Sequence, residues 1–313
     1  MVSIRGRLFK FIMRRRLNIN PIVHPNLVEC IKKMGEGYMK DILQKGYTLT
    51  RKETEHKTKY IEITKDSNQP AKKVVYYMHG GAYISGLTNS YHSFSYPLCD
   101  VREDVKVVLL DYKVAPEHKY PSQINEAMDL WDELMKEYSP EDIVVGGDSS
   151  GGNLALVLIH KLKKERNTAP QGGFFLSPWT DMTCSGKSYY DNYSVDVQIG
   201  EAGESLTKEK EAIIQNSELF CFIGEADRTD PYISPIFGDF TTFPKSLFIV
   251  GSEEVLLDDT LNVVQKIKEN DKNEVELINK EGMFHTYPVY FGLVPEGREA
   301  HERIREFIVE CFK

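Results

Sequence analysis

None of the 313 residues belongs to an apolar run near the roughly 18 to 20 needed to cross a bilayer, which argues against a membrane-spanning chain. Cysteine is scarce and unpatterned: Cys30, Cys99, Cys184, Cys221 and Cys311 are odd in number and never form a CxxC pair. That excludes a disulfide framework and a cysteine zinc site, and free thiols in a reducing cytoplasm fit best. Positive charge is also in deficit, with 39 Lys and Arg against 47 Asp and Glu and a net charge of −8. Nucleic-acid binding, which needs a basic face, is therefore not expected. Nor is a secretory leader expected from the first residues. Its basic residues should be followed by about 7 to 15 apolar ones, but here Lys10 and Arg14-Arg15-Arg16 interrupt them. No internal repeat or low-complexity tract is visible.

What is present is an alternation of strands and helices. Tyr60–Thr64, Lys73–His79, Val105–Leu110, Ile143–Gly146, Gly172–Ser177, Ser246–Val250 and Glu274–Asn279 read as short strands. Ser122–Glu137, Gly152–Glu165, Leu256–Asn270 and Arg298–Phe312 repeat apolar residues three and four apart, as helices do. Such alternation predicts an α/β fold with a mostly parallel sheet covered on both faces. Two stretches break the rhythm: residues 1–45, helical in pattern without a strand, and a polar insert at 181–231. A structureless loop of that length is improbable in a compact domain, so both read as parts of a cap over one end of the sheet. The catalytic core then comprises 46–180 and 232–313, in one compact unit. Near the start, Ile4, Leu8, Phe11 and Ile12 give one apolar stripe on a basic helix, which docks on the body or lies on an anionic membrane surface.

The central chemical signal is Gly147-Asp148-Ser149-Ser150-Gly151, a GxSxG between a strand and a helix. This context is that of a nucleophile elbow, where a sharp turn exposes a serine above a helix N-terminus. His79-Gly80-Gly81-Ala82-Tyr83, after an earlier strand, supplies backbone N–H groups for an oxyanion. The candidate donors are Gly81 and Ala82, with Ser150, while His79 reads as structural. A base must be a histidine, and in the order Ser, acid, His only His160, His285 and His301 follow the serine. His160, on the next helix, stands on the order of 16 Å away. His301 falls in the terminal amphipathic helix and reads as a surface residue. His285, in a loop after a strand, is the choice. The acid lies after Ser246–Val250, and sequence physics does not separate Glu253, Glu254 and Asp258; Asp258 and Asp259 could equally cap or charge the start of the next helix.

Together these residues resemble the hormone-sensitive-lipase-like branch of the α/β-hydrolases. The matches are His79-Gly80-Gly81, Asp111 to Glu117, Gly147 to Asn153, Leu176 to Asp181, Pro231 to Pro235 and Gly282 to His285. Little of the likeness falls in residues 1–60 or 185–225. The resemblance implies an eight-stranded sheet with a helical cap and a serine carboxylesterase acting on small, short-acyl esters. It selects Glu254 as the acid, by alignment of Glu254-Val255-Leu256 with the family's Asp-Pro-Leu, and it makes Asp111–Glu117 a brace for the oxyanion loop. Tyr83 and Trp179 become candidate pocket walls, and Ala82 replaces the usual third glycine. No cofactor or metal is implied, and homodimers through edge strands occur among similar esterases. The rival readings are a formamidase or other amidase on the same triad, and a non-hydrolytic small-ligand-binding protein of the same fold.

Overall fold

The computed structural model describes residues 2–36, 40–67 and 69–313. Eight strands form one sheet: β1 (Tyr47–Glu53), β2 (Lys59–Lys65), β3 (Lys73–Met78), β4 (Val105–Asp111), β5 (Ile143–Asp148), β6 (Gly172–Leu176), β7 (Lys245–Gly251) and β8 (Val275–Lys280). Their order is β1-β2-β4-β3-β5-β6-β7-β8. The β1/β2 and β2/β4 pairs are antiparallel and all others parallel. Side chains of a strand alternate between faces, and both faces here are apolar. Val74, Tyr76 and Met78 of β3 join a core with helices α4 (Ser122–Leu134), α5 (Ser150–Arg166) and α8 (Leu257–Lys268). Val75 and Tyr77 join a second core with α3 (Asn89–Cys99) and α9 (Pro295–Cys311). The sequence reading missed β1, a polar edge strand with most residues exposed. It also missed α3, which contains Pro97 and little apolar periodicity.

The two stretches without strands meet one another. The first holds α1 (Ile4–Arg16) and α2 (Leu27–Glu36); the insert holds α6 (Ser188–Asp191), α7 (Lys208–Gln215) and a 3-10 turn at Glu218–Ile223. Asn20 joins them, its amide donating to the Tyr193 hydroxyl at 2.9 Å and the Ile199 carbonyl at 2.8 Å. Asn18 donates to the Gly200 carbonyl at 2.9 Å.

Helix α1 docks on the body, but not through the stripe that its sequence suggests. Gly6 and Met13 are buried, and the Phe9 ring lies 5.0 Å from that of Tyr290. Ile4, Leu8, Phe11 and Ile12 face outward. Another expectation is corrected in α9. His301 is not at the surface: it is buried, its Nε2 lies 3.0 Å from the Phe94 carbonyl, and its ring stacks on Phe291. It sits on the side of α9 that packs against α3, with its imidazole edge toward the Phe94 carbonyl. Among the described residues, no helix is long and apolar enough to cross a membrane.

Candidate active site

Parallel strands end side by side, so the loops after β3, β5, β6, β7 and β8 converge at one edge of the sheet. Strand β5 turns directly into α5 at Ser149, whose backbone is held at φ 51°, ψ −120°. Only a side chain smaller than any Cβ permits that turn at Gly151: a Cβ there would lie 2.1 Å from the Met78 carbonyl oxygen and 2.4 Å from that of His79. The close approach brings the β3 loop to the nucleophile. Next to it, Gly81, Ala82 and Tyr83 all take positive φ, at 119°, 56° and 60°. For Ala82 and Tyr83 this is strained backbone, and it is secured from outside. Tyr83 N–H donates to the Ser150 hydroxyl at 3.2 Å, and its carbonyl accepts from Ala115 N–H at 2.7 Å. Tyr112 stacks on His79 at 4.2 Å and donates its hydroxyl to the His79 carbonyl at 2.7 Å. Asp111–Glu117 thus braces the loop as expected of it. The N–H groups of Gly81 and Ala82 have no acceptor among the described residues.

Ser149, His285 and Glu254 are brought together. His285 Nε2 lies 2.9 Å from Ser149 Oγ, and its Nδ1 lies 2.8 Å from Glu254 Oε2. The second carboxylate oxygen of Glu254 accepts from the Ser177 hydroxyl at 2.7 Å and from Gly251 N–H at 2.5 Å. Glu254 is fully buried, so an ionised carboxylate there needs these donors. A carboxylate on Nδ1 fixes the proton on that nitrogen and leaves the Nε2 lone pair for the serine proton. Burial disfavours a charged His285, but the hydrogen bond and negative charge of Glu254 outweigh it and raise the imidazole pKa above 6.5. The other acids point elsewhere. Glu253 pairs with Lys10. Asp258 accepts from Ser188 N–H at 2.9 Å, and Asp259 from the N–H groups of Thr180 and Asp181 at 2.7 and 2.8 Å. Asp258 and Asp259 therefore tie down the loop after β6 and the insert; neither caps α8, but both stand in its first turn, where negative charge suits the helix N-terminus.

Four supporting residues escaped the sequence reading. Ser177 links the site internally, donating to Glu254 while accepting from Thr286 N–H at 3.1 Å. Asn192 donates to the carbonyls of Ser252 and Glu254, and Asp196 accepts from Val255 N–H at 2.8 Å. The insert therefore grips the loop that carries the acid. Asp148, beside the serine, accepts from Gly80 N–H and the Tyr77 hydroxyl at 2.9 Å and from the Tyr91 hydroxyl at 3.0 Å. Burial pushes its carboxyl up to about 6 despite these donors. The only sequence clue to any of them was position within a motif, since each acts across the chain.

A mostly apolar cavity of about 700 Å³, including its mouth, opens over Ser149 and His285. Trp179, Leu219, Phe220, Ile214 and Tyr189 line it, with Ile19 contributed from the N-terminal stretch. Trp179 is where the sequence put it. Tyr83 is not on the lining: its ring packs on Phe222 at 4.3 Å and its hydroxyl donates to Asn153 at 2.7 Å, which seals it beneath the loop. His160 is remote from the site, against Phe240.

The family pattern described as alpha/beta hydrolase fold matches residues 75–289. An esterase from Acinetobacter venetianus is 31% identical over 238 residues, which cover 76% of this chain and 75% of that protein. An acetyl-hydrolase from Streptomyces hygroscopicus is 28% identical, covering 75% of each chain. In three dimensions the chain superposes on an esterase/lipase from an uncultured bacterium with a TM-score of 0.82, at 25% identity over 99% of both chains. The matched region runs from β3 through the loop of His285, so Ser149, the Gly81–Tyr83 loop, Glu254 and His285 all lie within it. The chain accordingly belongs to the alpha/beta hydrolase fold family and is a carboxylic ester hydrolase.

Proposed function

We propose that this enzyme hydrolyses small, short-acyl carboxylic esters through an acyl-enzyme on Ser149, with His285 as base and Glu254 as its partner. The observation that carries this reading is the unbroken chain from Ser149 Oγ to His285 at 2.9 Å and from His285 to Glu254 at 2.8 Å. The names of the relatives, an esterase and an acetyl-hydrolase, support ester substrates and a small acyl group. Bulky Trp179 and Phe220 on the cavity lining support the same size limit.

In the proposed mechanism, His285 Nε2 takes the hydroxyl proton as Ser149 Oγ bonds to the ester carbonyl carbon. The oxygen that becomes negative is held by the N–H groups of Gly81, Ala82 and Ser150, each such donor being worth roughly 10²–10³ in turnover. The intermediate collapses by breaking the carbon–alkoxy bond, and the imidazolium gives its proton to the departing alcohol. Water then attacks the acyl-enzyme with the same base, and the acid leaves as Ser149 regains its proton. Residues 1–45 and 181–231 act in this reading as the cap over the core of 46–180 and 232–313, closing the acyl site with Ile19, Ile214 and Leu219. The five free cysteines support a reducing compartment, the cytoplasm.

The test is hydrolysis of p-nitrophenyl esters from acetate to decanoate, alongside aryl formamides and the Ser149→Ala and His285→Ala proteins. Turnover that peaks at short acyl chains and collapses in both variants is expected. Serine-dependent cleavage of the formamide alone would replace the esterase reading by an amidase. No serine-dependent cleavage, with a ligand still bound in the cavity, would leave a binding protein.

A further inference from the structure

Helix α1 is apolar on two opposite sides. Its inner side carries Gly6, Phe9 and Met13, already accounted for by docking. On its outer side Ile4, Leu8, Phe11 and Ile12 remain 78%, 60%, 54% and 42% exposed. At about 100° per residue these four fall in an arc of roughly 100°. Arg15 lies within that arc, its guanidinium 4.2 Å from the centre of the Phe11 ring. Arg7 runs along one border of the stripe and Arg5 and Arg16 along the other, while Arg14 is turned onto the insert and donates to the Val195 carbonyl at 2.9 Å. The helix has no acid at all, in a chain whose net charge is −8. Leaving these side chains in water is costly, and the folded body offers them no cover.

We infer that α1 docks the enzyme on the surface of an anionic phospholipid bilayer, its outer stripe entering the boundary between headgroups and acyl chains while the flanking arginines meet lipid phosphates. The shape and charge favour this occupant over others. An apolar ridge with cations on both borders suits a soft, planar, negatively charged medium. A second copy of the chain would set arginines against arginines along both borders. The helix is also firmly held, as a docking element must be. Ser3 caps it, accepting from Gly6 N–H at 2.9 Å, and Glu296 accepts from the Ser3 backbone at 2.5 Å.

Docking there would place lipid next to the chemistry. Lys10 of α1 pairs with Glu253 and donates to the Gly282 carbonyl at 3.0 Å, in the loops that carry Glu254 and His285. Three residues beyond the helix, Ile19 lines the cavity. Esters dissolved in the membrane would thus reach the cavity without crossing bulk water.

The experiment is flotation of the full chain with vesicles of phosphatidylcholine alone or with 30 mol % phosphatidylglycerol. Binding to the anionic vesicles at least tenfold above the neutral ones is expected, falling with added salt. Leu8→Ser/Phe11→Ser and Arg5→Gln/Arg7→Gln/Arg16→Gln proteins should each lose about tenfold or more, while hydrolysis of water-soluble p-nitrophenyl acetate stays at the wild-type rate and shows that they are folded. Absence of wild-type binding to anionic vesicles, or binding that survives both sets of changes, would overturn the inference. So would a dimer in sedimentation that the Leu8→Ser/Phe11→Ser protein alone abolishes. Flotation does not depend on hydrolysis, so failure of the esterase reading would leave this result standing.

Discussion

Ser149 rests on β5, which is hydrogen-bonded to β3 on one side and β6 on the other, while the segments facing it across the cavity hold one another through single side chains such as Asn18 and Asn20. The first region is bound by ladders of backbone bonds between fully buried apolar faces. The second is bound mainly by amide and carboxylate side chains reaching isolated backbone groups, with a backbone bond from Ile19 N–H to the Gln198 carbonyl at 2.6 Å and a few buried apolar residues such as Leu27 and Leu219. Local opening free energy follows buried apolar contact and protected backbone, so the two should yield separately. In the proposed mechanism the chemistry belongs to the rigid region, and the softer one limits the acyl chain. The loop of Glu254 is shared, because Asn192 and Asp196 of the insert hold it from the far side, and the loop after β3 meets the insert where Tyr83 packs on Phe222.

Substitutions can break this contrast, beginning with those of largest effect. Ser149→Ala or His285→Ala should lower kcat by about 10⁴–10⁶ while thermal melts stay near wild type, and Ser149→Ala should abolish fluorophosphonate labelling. Glu254→Gln should lower kcat by about 10⁴. Activity needs neutral His285, whose pKa Glu254 raises above 6.5. The acid limb of the kcat/KM profile should therefore lie above that pH in the wild type and move to lower pH in the variant.

Within the rigid region, Phe174→Ala should cost about 3–5 kcal/mol in denaturant unfolding, because Phe174 is fully buried with its ring edge against Gly146. Asp148 gives a pH signature. Its carboxyl titrates at about 6 in the folded chain, against an ordinary value of 3.8, so the native state holds that proton more tightly than the unfolded one. Stability should then fall by about 3 kcal/mol as pH rises from about 4 to about 6.5. The Asp148→Asn protein should show a flatter dependence over that interval. The smallest change belongs to the soft region. Asn20→Ala should raise KM for the longer p-nitrophenyl esters several-fold with kcat little changed, and should shift global unfolding by no more than about 1–2 kcal/mol. An equal effect of Asn20→Ala on kcat would erase the contrast.

How much of this was legible in the sequence followed the range of the interactions involved. Ser149 and His285 could be found because the elbow is a local pattern and chain order leaves few histidines. Glu254 needed the family likeness, since Glu253, Glu254, Asp258 and Asp259 share one short segment and differ only in where folding turns them. Ser177 and Asp196 remained hidden because their partners stand 77 and 59 residues away. The periodicity of α1 was real but double-sided, and a stripe alone does not say which face meets the body. Similarly, the amphipathic pattern around His301 could not reveal that α3, itself unread, would cover it.

The tie between Ser3 and Glu296 spans 293 residues, and this has a consequence during synthesis. At about 5–20 residues per second, the segment of α1 leaves the ribosome on the order of 15–60 s before its partner in α9 exists. Throughout that interval Ile4, Leu8, Phe9, Phe11, Ile12 and Met13 are all uncovered on a newborn chain. The arginines interspersed among them then serve as gatekeepers, keeping this sticky segment from self-association until α9 is made and the inner side of α1 can dock.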